Sequence, residues 1–176
     1  MYLDIFVLMD YVQHYTSPLG GITLSSDGEA LTGLWFDGQK HFGSTLSAGS
    51  QEADLPVFDL TRQWLDIYFS GREPDFTPPL HLIGSPFRKA VWDVLRTIPY
   101  GCTVTYGEIA ARLSTGSATG SGPSCRTLAR AVGSAVGHNP VSLIVPCHRV
   151  VGLGGRLTGY ASGLPNKSYL LNLETR

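Results

Sequence analysis

The spacing of the hydrophobic positions changes along the chain, and each change marks an element. From Tyr11 to Phe42 short β-rich runs alternate with turn residues at Ser17-Pro18-Leu19-Gly20-Gly21, Ser26-Asp27-Gly28 and Asp37-Gly38. Ile22-Thr23-Leu24 and Leu31-Thr32-Gly33-Leu34-Trp35-Phe36 read as strands joined by tight turns, which predicts an antiparallel meander. Gly43 to Asp54 is small and polar and reads as loop. Val57, Leu60, Trp64 and Tyr68 then recur at helical spacing through Ser70, with Gly71 as the stop. Residues 72–84 hold Pro74, Pro78 and Pro79, too many helix breakers for either neighbour, and read as a linker.

Beyond the linker the pattern is helical. Ser85-Pro86 is an N-cap followed by proline at the first helical position, and Phe87, Val91, Val94, Leu95 and Ile98 share a face up to the Pro99-Tyr100-Gly101 stop. Thr105-Tyr106-Gly107-Glu108 is a capping box that opens a helix to about Leu113. Ser114 to Cys125 is rich in Gly and Ser and reads as a mobile loop. A further helix spans about Arg126 to Val136, with Leu128, Val132 and Ala135 or Val136 inward and Gly137 as C-cap. Its other face carries Thr127, Arg130, Ala131 and Ser134, one cation among small side chains. Two short helices joined by a loop resemble a helix-turn-helix module, whose small residues would let the backbone press against a nucleic acid. Small residues serve tight helix packing equally well. After His138-Asn139-Pro140 come the apolar run Val141 to Val145, the glycine-rich stretch Gly152 to Gly159, and a last helix from Pro165 packed through Tyr169, Leu170 and Leu173.

With 176 residues and 43% hydrophobic content, the chain can bury a core as one domain or two small ones. The apolar start, Met1 to Met9, is interrupted by Asp4 and has no basic residue before it, so it reads as neither signal peptide nor membrane span. The net charge of -1 conceals a division: residues 1–85 carry eleven Asp/Glu against three Lys/Arg, net -8, and residues 86–176 carry ten Lys/Arg against three Asp/Glu, net +7. A basic second half suits a nucleic-acid partner. Cys102, Cys125 and Cys147 are odd in number and form no CxxC pair for zinc or redox work, so a reducing, cytoplasmic location fits. His14 and His41 stand alone and read as surface or strand residues, not metal ligands.

Cys147 followed directly by His148, on an apolar support, is the candidate chemistry. The thiolate is the reactive form of cysteine, so a neighbouring base matters. On extended backbone, adjacent side chains point to opposite faces, and the pair alone is equally compatible with a buried structural cysteine.

In its wider setting, Pro146-Cys147-His148-Arg149-Val150 follows Asn139-Pro140 and Arg130-Ala131-Val132-Gly133 and precedes Gly159-Tyr160. This set resembles the O6-alkylguanine-DNA alkyltransferases, the methylated-DNA:protein-cysteine methyltransferases. The likeness extends through Thr105-Tyr106-Gly107-Glu108-Ile109-Ala110, Ser85-Pro86-Phe87, Ile98-Pro99-Tyr100-Gly101 and Ser17-Pro18-Leu19-Gly20, nearly the whole chain. It implies an α/β, ribonuclease-H-like scaffold lobe over 1–84 and a mostly α, winged-helix-like lobe with a helix-turn-helix over 85–176. It implies that Cys147 takes an alkyl group from O6 of guanine in double-stranded DNA, with O4-alkylthymine a further candidate, in one irreversible displacement. His148 would take the thiol proton through a water, Glu174 would orient His148, and Asn139 would fix the local backbone. Tyr106 would assist the departing guanine, and Tyr160, Ser162 and Val150 would line the base pocket. Arg130 would fill the place of the flipped base, while Thr127, Ala131, Gly133 and Ser134 fit the minor groove. No cofactor and no metal are implied, and a monomer is expected. The connection from Leu113 to Arg126 is longer than the family's usual one and is expected to be a flexible excursion beside the DNA-binding face.

Two other function classes remain to be tested. A non-catalytic binder of alkylated DNA is disfavoured by the presence of Cys147. A cysteine hydrolase with a Cys147-His148-Glu174 relay would turn over repeatedly and keep no adduct.

Overall fold

The computed structural model describes residues 9–114 and 125–175, with 125 and 126 described by backbone alone. Residues 1–8, and with 115–124 the expected flexible excursion, lie outside the described residues. An N-terminal sheet lobe packs against a helical C-terminal lobe. Strands β1 (Tyr11–Ser17), β2 (Gly20–Ser26) and β3 (Leu31–Phe36) form the antiparallel meander. The first turn closes where Ser17 Oγ accepts from the Leu19 amide at 3.1 Å and donates to the Gly20 carbonyl at 2.7 Å, with Gly20 at φ +105°. Only glycine adopts that angle without strain. The second turn is an Asx turn, in which Asp27 Oδ1 accepts from the Glu29 and Ala30 amides.

Within the stretch read as loop, Gln51–Glu52 forms a short strand, β4, parallel to β1, so the sheet order is β3-β2-β1-β4. Two exposed polar residues carry no alternation, which is why periodicity misses them. Helix α1 (Pro56–Phe69) buries Val57, Phe58, Trp64, Leu65 and Tyr68 against the sheet and stops at Gly71, φ +81°.

The outer edge of β3 is where the lobes join. The Leu31 amide donates to the Pro79 carbonyl at 2.8 Å and the His81 amide to the Leu31 carbonyl at 2.9 Å, so the proline-rich linker runs along that edge. Further on, the Leu34 amide donates to the Pro140 carbonyl at 2.8 Å and the Ser142 amide to the Leu34 carbonyl at 2.9 Å. An edge strand left bare is a template for stray pairing, and here it anchors the segment that leads into Cys147.

Helix α2 (Pro86–Arg96) starts where Ser85 Oγ accepts from the Arg88 amide at 3.3 Å. Its buried face is Val91, Trp92 and Leu95; Phe87, expected inward, is 38% exposed because the first turn projects past the core. Trp92 takes the central place, and its indole N–H donates to the Ala135 carbonyl at 2.9 Å. A Cβ on Gly84 would lie 2.4 Å from that indole, so glycine is needed for the close approach. Strand β5 (Val104–Thr105) pairs in parallel with β6 (Val150–Val151). The Thr105 hydroxyl and the Glu108 carboxylate satisfy each other's backbone amides, at 3.2 and 2.6 Å, and open α3 (Tyr106–Ser114).

Helix α4 (Cys125–Gly137) buries Val132, Ala135 and Val136. Gly137, expected as a left-handed cap, stays within the last turn without positive φ, and the His138 ring Nδ1 closes onto the Ser134 carbonyl at 2.8 Å instead. The apolar run after it is not extended: Leu143 turns at φ +70° and the Val145 amide returns to the Val141 carbonyl. Cys147–Arg149 is a 3-10 turn, so the opposite-face argument for an extended Cys-His pair does not apply. Helix α5 (Leu164–Glu174) closes the chain. One core cluster contains Leu24, Leu34 and Leu65 from the sheet lobe and Leu95, Val132 and Leu170 from the helical lobe. Among the described residues no helix is long and apolar enough to cross a membrane.

Trp92 ties α2 to α4, so Trp92→Phe is expected to lower folding stability by about 1–2 kcal/mol, the scale of one buried hydrogen bond and a smaller ring. Urea denaturation measures it; an unchanged midpoint would remove the tie as a determinant of α4 placement.

Candidate active site

Cys147 is 4% exposed at the start of its 3-10 turn. Asn139 clamps the approach from both sides: its Nδ2 donates to the Val145 carbonyl at 2.7 Å and its Oδ1 accepts from the Val141 amide at 3.0 Å. The turn therefore cannot shift without breaking a buried amide's two bonds. Cys147 borders a cavity of about 160 Å³ walled by Tyr106 and Gly133 on one side and Gly159, Tyr160 and Ala161 on the other, with Lys40 and His41 of the sheet lobe at its rim. The seam between lobes is fastened there by the Lys40 amide donating to the Ala161 carbonyl at 3.1 Å and by the His41 and His138 rings stacked at 3.8 Å.

Burial pushes the Cys147 thiol up from its usual range; the Asn139 side chain, the Lys167 charge and the amides of Cys147 and His148 oppose that only in part. The resting group is a neutral thiol that must lose its proton as it reacts. His148 is fully buried, and its Nε2 lies 2.7 Å from Glu174 Oε1. Burial lowers the imidazole against the pull of Glu174, which leaves it neutral. With the Nε2 proton given to a carboxylate that cannot donate, Nδ1 carries the free lone pair, and Nδ1 is buried with no hydrogen-bond partner. It is the atom available to accept a proton.

Glu174 collects the network. Its Oε1 accepts from His148, from the Tyr68 hydroxyl at 2.8 Å and from Arg149 Nη2 at 3.0 Å. Its Oε2 accepts from Arg149 Nε at 2.9 Å and the Gly101 amide at 3.0 Å. Burial alone would raise this carboxyl, but the hydrogen bonds from His148 and Arg149 and the Arg149 charge outweigh it and hold it at about 2.

Sequence reasoning missed three members. Lys167 is buried, with Nζ donating to the carbonyls of Val150 at 2.5 Å, Thr158 at 2.8 Å and Gly159 at 3.2 Å, so one ammonium ties the glycine-rich loop to the reactive turn. Burial lowers it to about 8, against the opposing influence of Cys147. Its sign was readable, because 167, 170 and 174 fall on one helical face and a cation there points inward. Tyr68 was readable as an inward residue of its helix, but neither its partner nor that of Arg149 was.

The expected residues divide. Cys147, His148, Glu174 and Asn139 are brought together, and the Tyr106 hydroxyl lies 3.4 Å from the Thr158 carbonyl above the cavity. Tyr160 walls the cavity. Ser162 lies in the adjoining groove, accepting from Asn166 Nδ2 at 3.2 Å, and Val150 is buried in β6. On α4, Thr127, Arg130, Ala131 and Ser134 face outward, whereas Gly133 faces the cavity beside the Tyr106 ring. One helix thus presents a surface on one side and a cavity wall on the other.

Known proteins of similar sequence and fold show the family. The sequence pattern of the 6-O-methylguanine DNA methyltransferase DNA binding domain matches residues 86–176, and that of the ribonuclease-like domain matches residues 11–82. The chain belongs to the 6-O-methylguanine DNA methyltransferase family. Methylated-DNA–protein-cysteine methyltransferase of Haemophilus influenzae is 39% identical over 165 residues, 93% of this chain and 86% of that protein. The Mycobacterium tuberculosis protein of the same name is 42% identical over 158 residues, 90% of this chain and 88% of that one. The crystal structure of Mycobacterium tuberculosis OGT in complex with DNA superposes with a TM-score of 0.77 at 40% identity, covering 94% of this chain and 92% of that one. In this methyltransferase fold the cavity between α4 and the reactive turn is the candidate active site.

Both buried groups of the relay make acid destabilising. Glu174, at 4.5 when unfolded and about 2 when folded, adds stability above pH 4.5 that is lost as pH falls toward 2. His148, lowered from 6.5, binds its proton more readily unfolded, so stability also falls as pH drops below 6.5. Urea midpoints are expected to decline from about pH 6.5 downward, and Glu174→Gln to flatten the portion below pH 4.5; an equally steep decline in the variant would place the titration elsewhere.

Proposed function

We propose that this chain repairs DNA by moving an alkyl group from O6 of guanine in double-stranded DNA onto Cys147, once per molecule. The observation that carries the reading is the buried neutral thiol, facing a cavity and backed by a His148–Glu174 pair whose Nδ1 lone pair has no partner. As Cys147 Sγ attacks the alkyl carbon, the thiol proton passes through a water to His148 Nδ1, and Glu174 stabilises the imidazolium. The carbon–O6 bond breaks and its electron pair leaves with the guanine, to which the Tyr106 hydroxyl offers a proton. The product is a thioether, a bond that water does not readily hydrolyse, so the thiol is not regenerated.

The target carbon lies within the base stack, so the base must be extruded, at a cost of a few kcal/mol. Arg130, on the outer face of α4, fills the vacated position, and the small residues Thr127, Ala131 and Ser134 let the helix backbone approach the minor groove. Gly133 and Tyr160 flank the entering base, while Ser162, in the adjoining groove, and the buried Val150 do not line the cavity itself. Residues 1–84 act as a ribonuclease-H-like scaffold and residues 85–176 as a winged-helix-like DNA lobe. The relatives' names, the DNA-bound neighbour and the positive charge of the second half support DNA as partner. An unpaired acceptor thiol suits the reducing cytoplasm, and the chain acts as a monomer.

Incubation with an oligonucleotide containing O6-methylguanine, followed by intact-mass and peptide analysis, is expected to show one added methyl on the Cys147 peptide and none in Cys147→Ala. Tight binding without mass gain would leave a lesion binder, and repeated turnover without adduct a hydrolase. An O4-methylthymine oligonucleotide run alongside reads the second lesion. Arg130→Ala is expected to slow transfer from duplex at least about tenfold, one base-pair-scale contact, while leaving free alkylguanine within about twofold. Equal losses on both substrates would remove Arg130 from the flipping step.

A further inference from the structure

The sheet lobe supplies one polar side chain to the relay. Tyr68, on α1, is fully buried; among the described residues it alone of that lobe hydrogen-bonds Glu174 or His148 through its side chain. Its hydroxyl lies 2.8 Å from Glu174 Oε1 and 3.2 Å from His148 Nε2, across 106 and 80 residues of chain. Packing does not require the oxygen. The ring stacks on Trp64 at 5.2 Å and meets Phe69, Tyr100 and His148 edge-on, contacts that phenylalanine would make equally well. A buried hydroxyl costs stability unless it is bonded, so its partner is the reason for it.

We propose that Tyr68 is a positioning residue for the relay: its hydroxyl, donated to Glu174 Oε1, keeps the carboxylate in line with His148 Nε2 and weakens that oxygen's hold on the imidazole proton. Three donors share Oε1, namely Tyr68, His148 Nε2 and Arg149 Nη2. Each draws charge from the same lone pairs, so removing one strengthens the others. Without the Tyr68 hydroxyl, Oε1 would stabilise the imidazolium more and His148 would keep its proton to higher pH. Burial and the adjacent carboxylate push the Tyr68 hydroxyl far above neutrality, so it donates throughout the working range. The other groups acting on His148 are Glu174 and Lys167 of α5 and Arg149 of its own turn, with Tyr100 against Arg149 and Glu174 and Tyr160 near Glu174. All of them remain in Tyr68→Phe, so a change there reports the hydroxyl. The sheet lobe, in this view, acts on the chemistry and does not merely support it.

The kinetic half of this inference rests on the proposed alkyl transfer; the electrostatic half does not. The test uses full-length unreacted protein in three forms: Tyr68→Phe, Trp64→Phe as a packing control, and protein carrying 3-fluorotyrosine at position 68, a stronger donor of the same shape. Two readouts are taken, the NMR titration of the His148 ring and the acidic limb of methyl transfer from O6-methylguanine duplex. In Tyr68→Phe both are expected to move up by about 0.5–1 pH unit, the size of one net hydrogen bond. Trp64→Phe is expected to leave them in place, and 3-fluorotyrosine to move them down. A His148 titration that is unchanged in Tyr68→Phe, or shifted equally by Trp64→Phe, overturns the assignment. If Tyr68→Phe does not fold, an unshifted titration with 3-fluorotyrosine overturns it by itself. A wild-type chain that accepts no methyl would remove the proposed function while the ring titration still decides the role of Tyr68.

Discussion

A buried carboxylate governs this structure. Removing a carboxylate from water costs several kcal/mol unless its lone pairs are filled, and Glu174 is filled by the His148 ring, both ends of the Arg149 fork, the Tyr68 hydroxyl and the Gly101 amide. Those donors come from the reactive turn, the helix of the sheet lobe and the loop that follows α2. The charge is therefore satisfied only when both lobes are folded against each other. Arg149 extends the same condition by holding the Ile98 carbonyl with its remaining nitrogen at 2.7 Å. Cys147 sits two residues from that fork, so neutralising Glu174 also helps to fix its position.

Helix α5 bears the cost of this arrangement. Lys167 lies in its first turn and Glu174 at its last residue, each of the sign that the helix dipole disfavours at that end. Local preference would exchange them. They stay because their partners lie elsewhere: Lys167 meets three carbonyls of the reactive turn and the glycine-rich loop, and Glu174 meets the donors above. A local rule broken at two positions facing one turn marks a site where function overrides propensity.

The sequence was most legible where signals are local. The Ser17 and Asp27 turns, the Ser85 cap and the Thr105–Glu108 box specify their geometry within four residues, and all stand in the structure. Legibility failed where geometry depends on distant partners. Phe87 fits the apolar spacing of α2 yet lies past the core's edge, and Trp92 fills the core because α4 offers the Ala135 carbonyl. An extended backbone would point Cys147 and His148 to opposite faces; the 3-10 turn exists because Asn139 and the β3 edge fold the preceding segment back. The family likeness brought His148, Glu174 and Asn139 to attention, but it did not point to Tyr68, whose role depends on a bond spanning 106 residues.

The neutral state of the Cys147 thiol has a further consequence for how long the protein remains usable. A thiolate attacks peroxides and disulfides far faster than a thiol does, and the reaction needs access to the sulfur. Cys147 is 4% exposed, and burial favours its protonated form. Under the proposed single transfer, the thiol must survive the interval before its one encounter. In this chain the group that would take the proton is assembled in advance, yet burial favours the less oxidisable form of the sulfur.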